Sequence, residues 1–188
     1  MQNIPTDISI KDLLTDLSPR LAKEGIEKAG KLPELAGTEF SLVVDVAGDG
    51  VYSYIVKDGK DFTIKTEAIA DPMVKIALSK ADLEKMIATN NLDMLLGIQQ
   101  DLTKAKYNAL QSLKGCFNAE LKNTDGSMFM IQTICNGIVS PKCTFKMKTE
   151  DSAKIAKKQA HPVNLFMSGA MQIEGDMAFA MQTQPLFT

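Results

Sequence analysis

Apolar side chains recur along this chain with two spacings, three to four residues in some stretches and two in others. The switches between them mark out the elements. Ile10, Leu13, Leu14, Leu17, Leu21 and Ile26 share one face of an amphipathic helix over 8–29, with Ser9 as its N-cap and Pro19 as a kink. Phe40, Leu42, Val44 and Val46 alternate with polar or smaller residues, which predicts a strand. Gly48-Asp49-Gly50 turns the chain into a second strand over 51–56, and Asp58-Gly59 turns it again, because glycine and aspartate accept positive φ. A third strand over 62–69 stops at Asp71-Pro72, and Val74, Ile76 and Leu78 make a fourth. Ser79 and Asp82 have capping-box spacing, with aspartate in place of glutamate, and open a helix through Ile87. A short helix over 92–98 follows, then an amphipathic one over 101–113 with Leu102, Ala105, Ala109, Leu110 and Leu113 on its apolar side.

The same order then begins again. Phe117, Ala119 and Leu121 alternate as a strand, 123–126 is a turn, 128–134 is a strand and Asn136-Gly137 is a turn. Cys143, Phe145 and Met147 alternate as Val74, Ile76 and Leu78 do, and Glu150-Asp151 opens a helix where Ala81-Asp82 opens the earlier one. This succession predicts an internal repeat, pairing Phe40 with Phe117, Asp58-Gly59 with Asn136-Gly137, Asp82 with Asp151 and Gly97 with Gly169. The competing reading is a chance likeness between two β-meanders. The repeat divides the chain into a partial unit, 1–99, and a complete one, 100–188. The first unit lacks a final strand and helix, so it would leave an unpaired sheet edge, and packing the units together removes that liability.

The last stretch, LFMSGAMQIEGDMAFAMQTQPLF over 165–187, carries the most specific pattern. A short helix over 162–168 ends at Gly169, which suits the left-handed position after a helix. Met171 and Ile173 alternate with Gln172 and Glu174 as a half-buried strand, broken by Gly175. Asp176 is placed to cap a final helix whose Met177, Ala180 and Met181 share a face, and Pro185 stops it. Through Phe166-Met167-Ser168-Gly169, Ile173-Glu174-Gly175-Asp176-Met177 and Ala180-Met181, this segment closely resembles the signature of the sterol carrier protein two family of lipid-binding and lipid-transfer domains. The resemblance is strong over the second unit and weak over the first. It implies an α+β fold: a sterol-carrier-protein-like mixed β-sheet covered by helices, with an apolar tunnel between, and here two related units packed as an intrachain pseudo-dimer.

Charge and composition narrow the function classes. A formal net charge of −2 argues against a nucleic-acid partner, since phosphate binding needs a basic surface. No run of about 18 apolar residues suggests a transmembrane span, and the N-terminal residues lack a basic start followed by an apolar block. Cys116, Cys135 and Cys143 read as reduced, buried thiols of a cytoplasmic protein. Proton carriers and nucleophiles are scarce. His161, the sole histidine, precedes Pro162 at a helix start and reads as a surface or capping residue rather than a base. The cysteines match no zinc spacing, Gly48-Asp49-Gly50 lacks the context of a phosphate cradle, and Glu150-Asp151 suits a helix N-terminus. The expectation is a non-catalytic protein without metal or cofactor.

Methionine is the unusual residue. Met128, Met130, Met147, Met167, Met171, Met177 and Met181 all fall in the second unit, with Phe129, Phe145, Phe166 and Phe179 among them. Flexible, polarizable methionine lines surfaces that fit variable apolar shapes. Taken with the family resemblance, this points to a lined cavity, with Phe129, Ile131, Phe145, Met147, Ile155, Phe166, Met167, Met171, Ile173, Met177 and Met181 as the expected lining and the last helix as a gate. The function so implied is binding and transfer of a lipid-like molecule: a fatty acid, acyl-CoA, phospholipid, quinone or sterol. Its expected partners are that lipid, a membrane touched transiently, and a second copy or partner enzyme. The alternative is an accessory module that docks a lipid-handling enzyme.

Overall fold

A computed structural model describes residues 4–187. Ser9 caps α1 (Ile10–Asp12), its hydroxyl accepting from the Asp12 N–H at 3.0 Å. α1 runs through a π-turn (Leu13–Leu17) into α2 (Ser18–Lys28). The wider turn falls just ahead of Pro19, whose missing N–H would break a regular ladder there, so the expected kink takes the form of a change of helix type. There follow β1 (Glu39–Ala47), β2 (Gly50–Lys57), β3 (Asp61–Lys65), β4 (Val74–Ser79), α3 (Lys80–Ala88), α4 (Asp93–Gln100) and α5 (Lys104–Ser112). The second half holds β5 (Gly115–Lys122), β6 (Met128–Cys135), β7 (Lys142–Lys148), α6 (Thr149–Ala156), α7 (Pro162–Met167), β8 (Met171–Gly175) and α8 (Met177–Gln182). One strand is shorter than its pattern predicts: β3 stops at Lys65 rather than Ile69. The carbonyl of Glu67 accepts from the Ser53 hydroxyl, and Asp71 takes positive φ ahead of Pro72, so the chain leaves the sheet edge early.

All eight strands form one mixed sheet in the order β3-β2-β1-β4-β6-β5-β7-β8. β1 pairs antiparallel with β2 and parallel with β4, and β5 pairs antiparallel with β6 and parallel with β7. The two halves meet edge to edge where β4 pairs antiparallel with β6. In the second half the free edge of β7 takes β8, whereas in the first half the corresponding edge of β4 takes β6. The edge of β4 is thus covered by β6. The Asp58-Gly59 and Asn136-Gly137 turns have nearly the same geometry, with φ of 54° and 69° in one and 51° and 69° in the other. After the second of these, pairing shrinks to a single bridge between Cys135 and Ile138, because β4 already occupies that side of β6.

Register defines the buried face. Tyr52, Val44, Ile76, Thr133, Phe117 and Cys143 lie side by side in one row across six strands, and Ala119, Ile131, Phe145 and Ile173 continue the same face. The opposite face carries the polar half of the alternation, including a Lys75–Asp45 ion pair at 2.8 Å. In the first half α1, the π-turn and α2 fill the buried face with Ile10, Leu13, Leu14, Leu17 and Ile26, leaving a void of only about 10 Å³ beside Ala22, Phe40 and Tyr54. In the second half it is α6, α7 and α8 that cover the sheet, and they do not fill the space beneath them. Among the described residues no helix is long and apolar enough to cross a membrane.

Candidate functional site

The uncovered space is an apolar cavity of about 260 Å³ between β5–β8 and the helices α6, α7 and α8. Its floor is Phe117, Ala119, Ile131, Thr133, Phe145 and Ile173 of the sheet. Ile155 of α6, Val163 and Phe166 of α7 and Ala180 and Met181 of α8 form the roof. Among the described residues no charged side chain lines it, and the polar ones that do are Thr133, Thr183 and Gln184. Phe117, Phe145 and Phe187 meet edge to face, with centroids 6.0 to 6.1 Å apart. That arrangement suits the ring quadrupoles and closes the cavity at the chain's C-terminal end.

Each covering helix is held by a specific local device. His161 Nδ1 accepts from the Val163 N–H at 3.3 Å and so caps α7, and Gly169 takes φ of 75° after its end. Asp176 Oδ1 accepts from the Phe179 N–H at 2.8 Å, capping α8. The main anchor of α8 is Phe179, which is only 1% exposed. It lies against Gly115, where a Cβ would come within 2.4 Å of the phenyl ring; with φ of 152° as well, that position admits only glycine. Gly175, with φ of 90°, packs against the Lys142 carbonyl and swings the chain from β8 into α8. Behind the roof, Asp101 accepts from Lys106 and Lys158, each at 2.8 Å, and so joins α5 to the end of α6. Burial alone would raise its carboxyl pKa, but the two ammonium groups outweigh it and hold the group below its ordinary value.

Nine of the eleven expected lining residues surround the cavity: Ile131, Phe145, Met147, Ile155, Phe166, Met167, Met171, Ile173 and Met181. The other two lie outside its lining. Phe129 is fully buried elsewhere in the core, and Met177 points to solvent, because the buried side of α8 is set by Phe179 and Ala180 rather than by methionine. At the rim Met167 is 78% exposed, with Phe166 and Met181 beside the opening. Sequence periodicity missed Ile76, Met94 and Leu95, which come from the first half, and Phe117 and Phe187 from the ends of the second. Thr133 was legible in principle, since it continues the inward alternation of Phe129 and Ile131.

Other clefts differ in chemistry. A groove of about 710 Å³ between α2, α4 and the end of α6 is lined by charged side chains, among them Glu24, Lys28, Asp93, Asp101, Lys157 and Lys158, interspersed with Ile4, Leu21, Leu92 and Leu96, so its surface is mixed where the cavity's is apolar. Among the described residues no three His, Cys, Asp or Glu side chains gather as metal ligands. Cys116, Cys135 and Cys143 are buried free thiols. Burial first, and then the nearby Cys116, pushes Cys135 and Cys143 up to about 12, with Asp176 adding to the rise at Cys143.

With this geometry in place, three solved structures can be compared. Sterol carrier protein 2 from Yarrowia lipolytica, in its apo form, is 18% identical over 42% of this chain and 76% of its own, with a TM-score of 0.35. The sterol carrier protein domain 2 of Helicoverpa armigera is 19% identical over 53% and 84%, with a TM-score of 0.39. A UbiJ-SCP2 ubiquinone synthesis protein is 11% identical over 95% and 96%, with a TM-score of 0.30. No curated protein matches the chain significantly in sequence. The SCP-2 sterol transfer family matches residues 96–188, the stretch that supplies β5–β8 and the helices over the cavity. By that match the chain belongs, through residues 96–188, to the SCP-2 sterol transfer family.

Proposed function

We propose that the protein binds and transfers a lipid-like molecule without chemical change, using the cavity of the second half. The observation that carries this is a 260 Å³ space with apolar walls and, among the described residues, no charged side chain, in the part of the chain that matches the family. Solid packing is the norm for interiors, so a void of this size is unfavourable unless something occupies it. At the ~30 Å³ that a water-sized group takes in a liquid, the space admits about eight or nine such groups. Eight methylenes at ~0.8 kcal/mol each give ~6 kcal/mol gross, so a longer chain has to leave through the rim. Membranes offer the same transfer gain, and useful exchange then depends on an opening more than on high affinity.

The rim at Phe166, Met167 and Met181 is where that opening lies in this reading, and its apolar tips suit brief contact with a membrane. The first half, with its inner face filled by α1 and α2, serves as a scaffold that closes the sheet, so 1–99 and 100–188 are two related units sharing one ligand site. Native mass spectrometry after gentle extraction tests the proposal: bound lipid-like species support it, and protein without ligand counts against it. In an uptake assay Met167→Asp and Met181→Asp reduce transfer while Met177→Asp, outside the lining, does not.

A second reading, an accessory module that docks a lipid-handling enzyme or a second copy, draws on Met128 and Met130. Both are exposed on the open face of β6. It gains if the purified chain carries no lipid yet self-associates through that face, and charge introduced at Met130 then abolishes the association.

A further inference from the structure

Seven serine and threonine side chains are buried among the described residues, and six of them have partners. Thr38, Ser53, Ser152 and Thr183 donate to backbone carbonyls, Thr149 to Asn123, and Ser18 bonds with Tyr54. The seventh, Thr133, is 3% exposed, and among the described residues its hydroxyl has no hydrogen-bond partner. Its neighbours across the strands are Ile76 on β4 and Phe117 on β5, neither of which offers one. All three line the floor of the cavity. A buried hydroxyl without a partner is unfavourable, and an apolar residue of the same shape would remove that penalty. Valine is that residue, and the rest of the row is already apolar.

We infer that Thr133 is a polar subsite and that the molecule held here is an uncharged lipid bearing a carbonyl or hydroxyl group, which the Thr133 hydroxyl meets inside the cavity. The inference rests on the carrier reading above and narrows it. Thr133 can donate to a carbonyl or accept from a hydroxyl, so either group satisfies it. An ionised carboxylate has no place, because among the described residues no Lys, Arg or His lines the walls and a buried charge without a counterion is strongly disfavoured. Thr183 is already committed to the Ala180 carbonyl at 2.7 Å, and Gln184 is only half-buried. The deep polar contact therefore falls to Thr133.

The test compares wild type with Thr133→Val, which keeps the shape and removes the hydroxyl. Displacement of the neutral dye 1,6-diphenylhexatriene from delipidated protein is followed with four ten- or eleven-carbon probes: 2-undecanone, 1-decanol, decane and, at pH 8, decanoate. The expected result is a roughly five- to tenfold loss of affinity for the ketone and the alcohol in Thr133→Val, with decane within about twofold, the size of one hydrogen bond. Wild type binds decanoate more weakly than 1-decanol. Delipidated Thr133→Val also melts a few degrees higher than wild type, whereas a hydroxyl with a structural role would make it melt lower.

Unchanged affinity for the ketone and alcohol, or an equal loss for decane, overturns the subsite and leaves the carrier reading standing. If no probe displaces the dye from wild type, the carrier reading fails and the subsite falls with it.

Discussion

Replacing Ala119 with leucine asks directly whether the second half encloses space. Ala119 sits on β5 between Ile131 of β6 and Phe145 of β7, and all three line the cavity. Leucine adds three carbons there. At ~0.8 kcal/mol per buried methylene, the gross gain is ~2 kcal/mol if the space is empty. In a core without free volume the same change costs about 1–3 kcal/mol through displaced rotamers. The sign of the effect therefore reports the void. Its ceiling follows from the cavity itself, since ~24 cal/mol per Å³ over 260 Å³ is ~6 kcal/mol relative to a filled core. For a chain of this length, ~2 kcal/mol raises Tm by about 4–8 °C. The measurement is a thermal melt followed by circular dichroism on delipidated protein, because bound ligand stabilises the native state by mass action and would mask the gain. Lipid uptake should fall in the same variant. A lower Tm in the delipidated protein would refute both the enclosed space and the carrier function built on it.

Asp176→Ala removes the cap of α8 and should lower stability by about 1 kcal/mol. Since α8 roofs the cavity, ligand release measured by stopped-flow should also quicken, and an unchanged rate would mean that α8 does not gate. The three thiols should resist a neutral alkylating reagent at pH 8 in the native state and react once denaturant is added, because the buried groups hold their protons. Fast native labelling would contradict their burial. Asp101→Asn leaves the Lys106 ammonium, 8% exposed, without its carboxylate, and should cost about 1–3 kcal/mol at pH 7. The Asp101 pKa is lowered in the folded state, so its contribution is present above the unfolded value of ~3.9 and is lost as pH falls through the folded value. The gap between wild type and variant in urea titrations should therefore shrink at acid pH, and a constant gap would place the effect elsewhere.

Local chemistry was readable where it is decided locally. The Ser9, Ser79 and Asp176 caps, the Asp58-Gly59 and Asn136-Gly137 turns and the inward alternation of each strand depend on residues within a few positions of one another. Nine lining residues followed from that alternation and from the family pattern. The two that fell outside show its limit. Met177 lies one turn from Met181 and looks equivalent to it, but the facing of a six-residue helix depends on which side chain finds a deep site, and Phe179 finds one above Gly115.

The elements, their order, the repeated strand pattern and the scarcity of catalytic groups are all legible in the chain before it folds, because helix and strand periods, caps and turns are short-range properties. Tertiary structure alone decided that β6 closes the edge of β4, that α1 and α2 fill the first half while the second stays hollow, and that Ile76, Met94 and Leu95 join its wall. Those outcomes depend on how well volumes match between surfaces far apart in the chain, and no periodicity encodes volume. The solitary hydroxyl of Thr133 belongs with them: its position was in the alternation, but its lack of a partner emerged only once its neighbours were known.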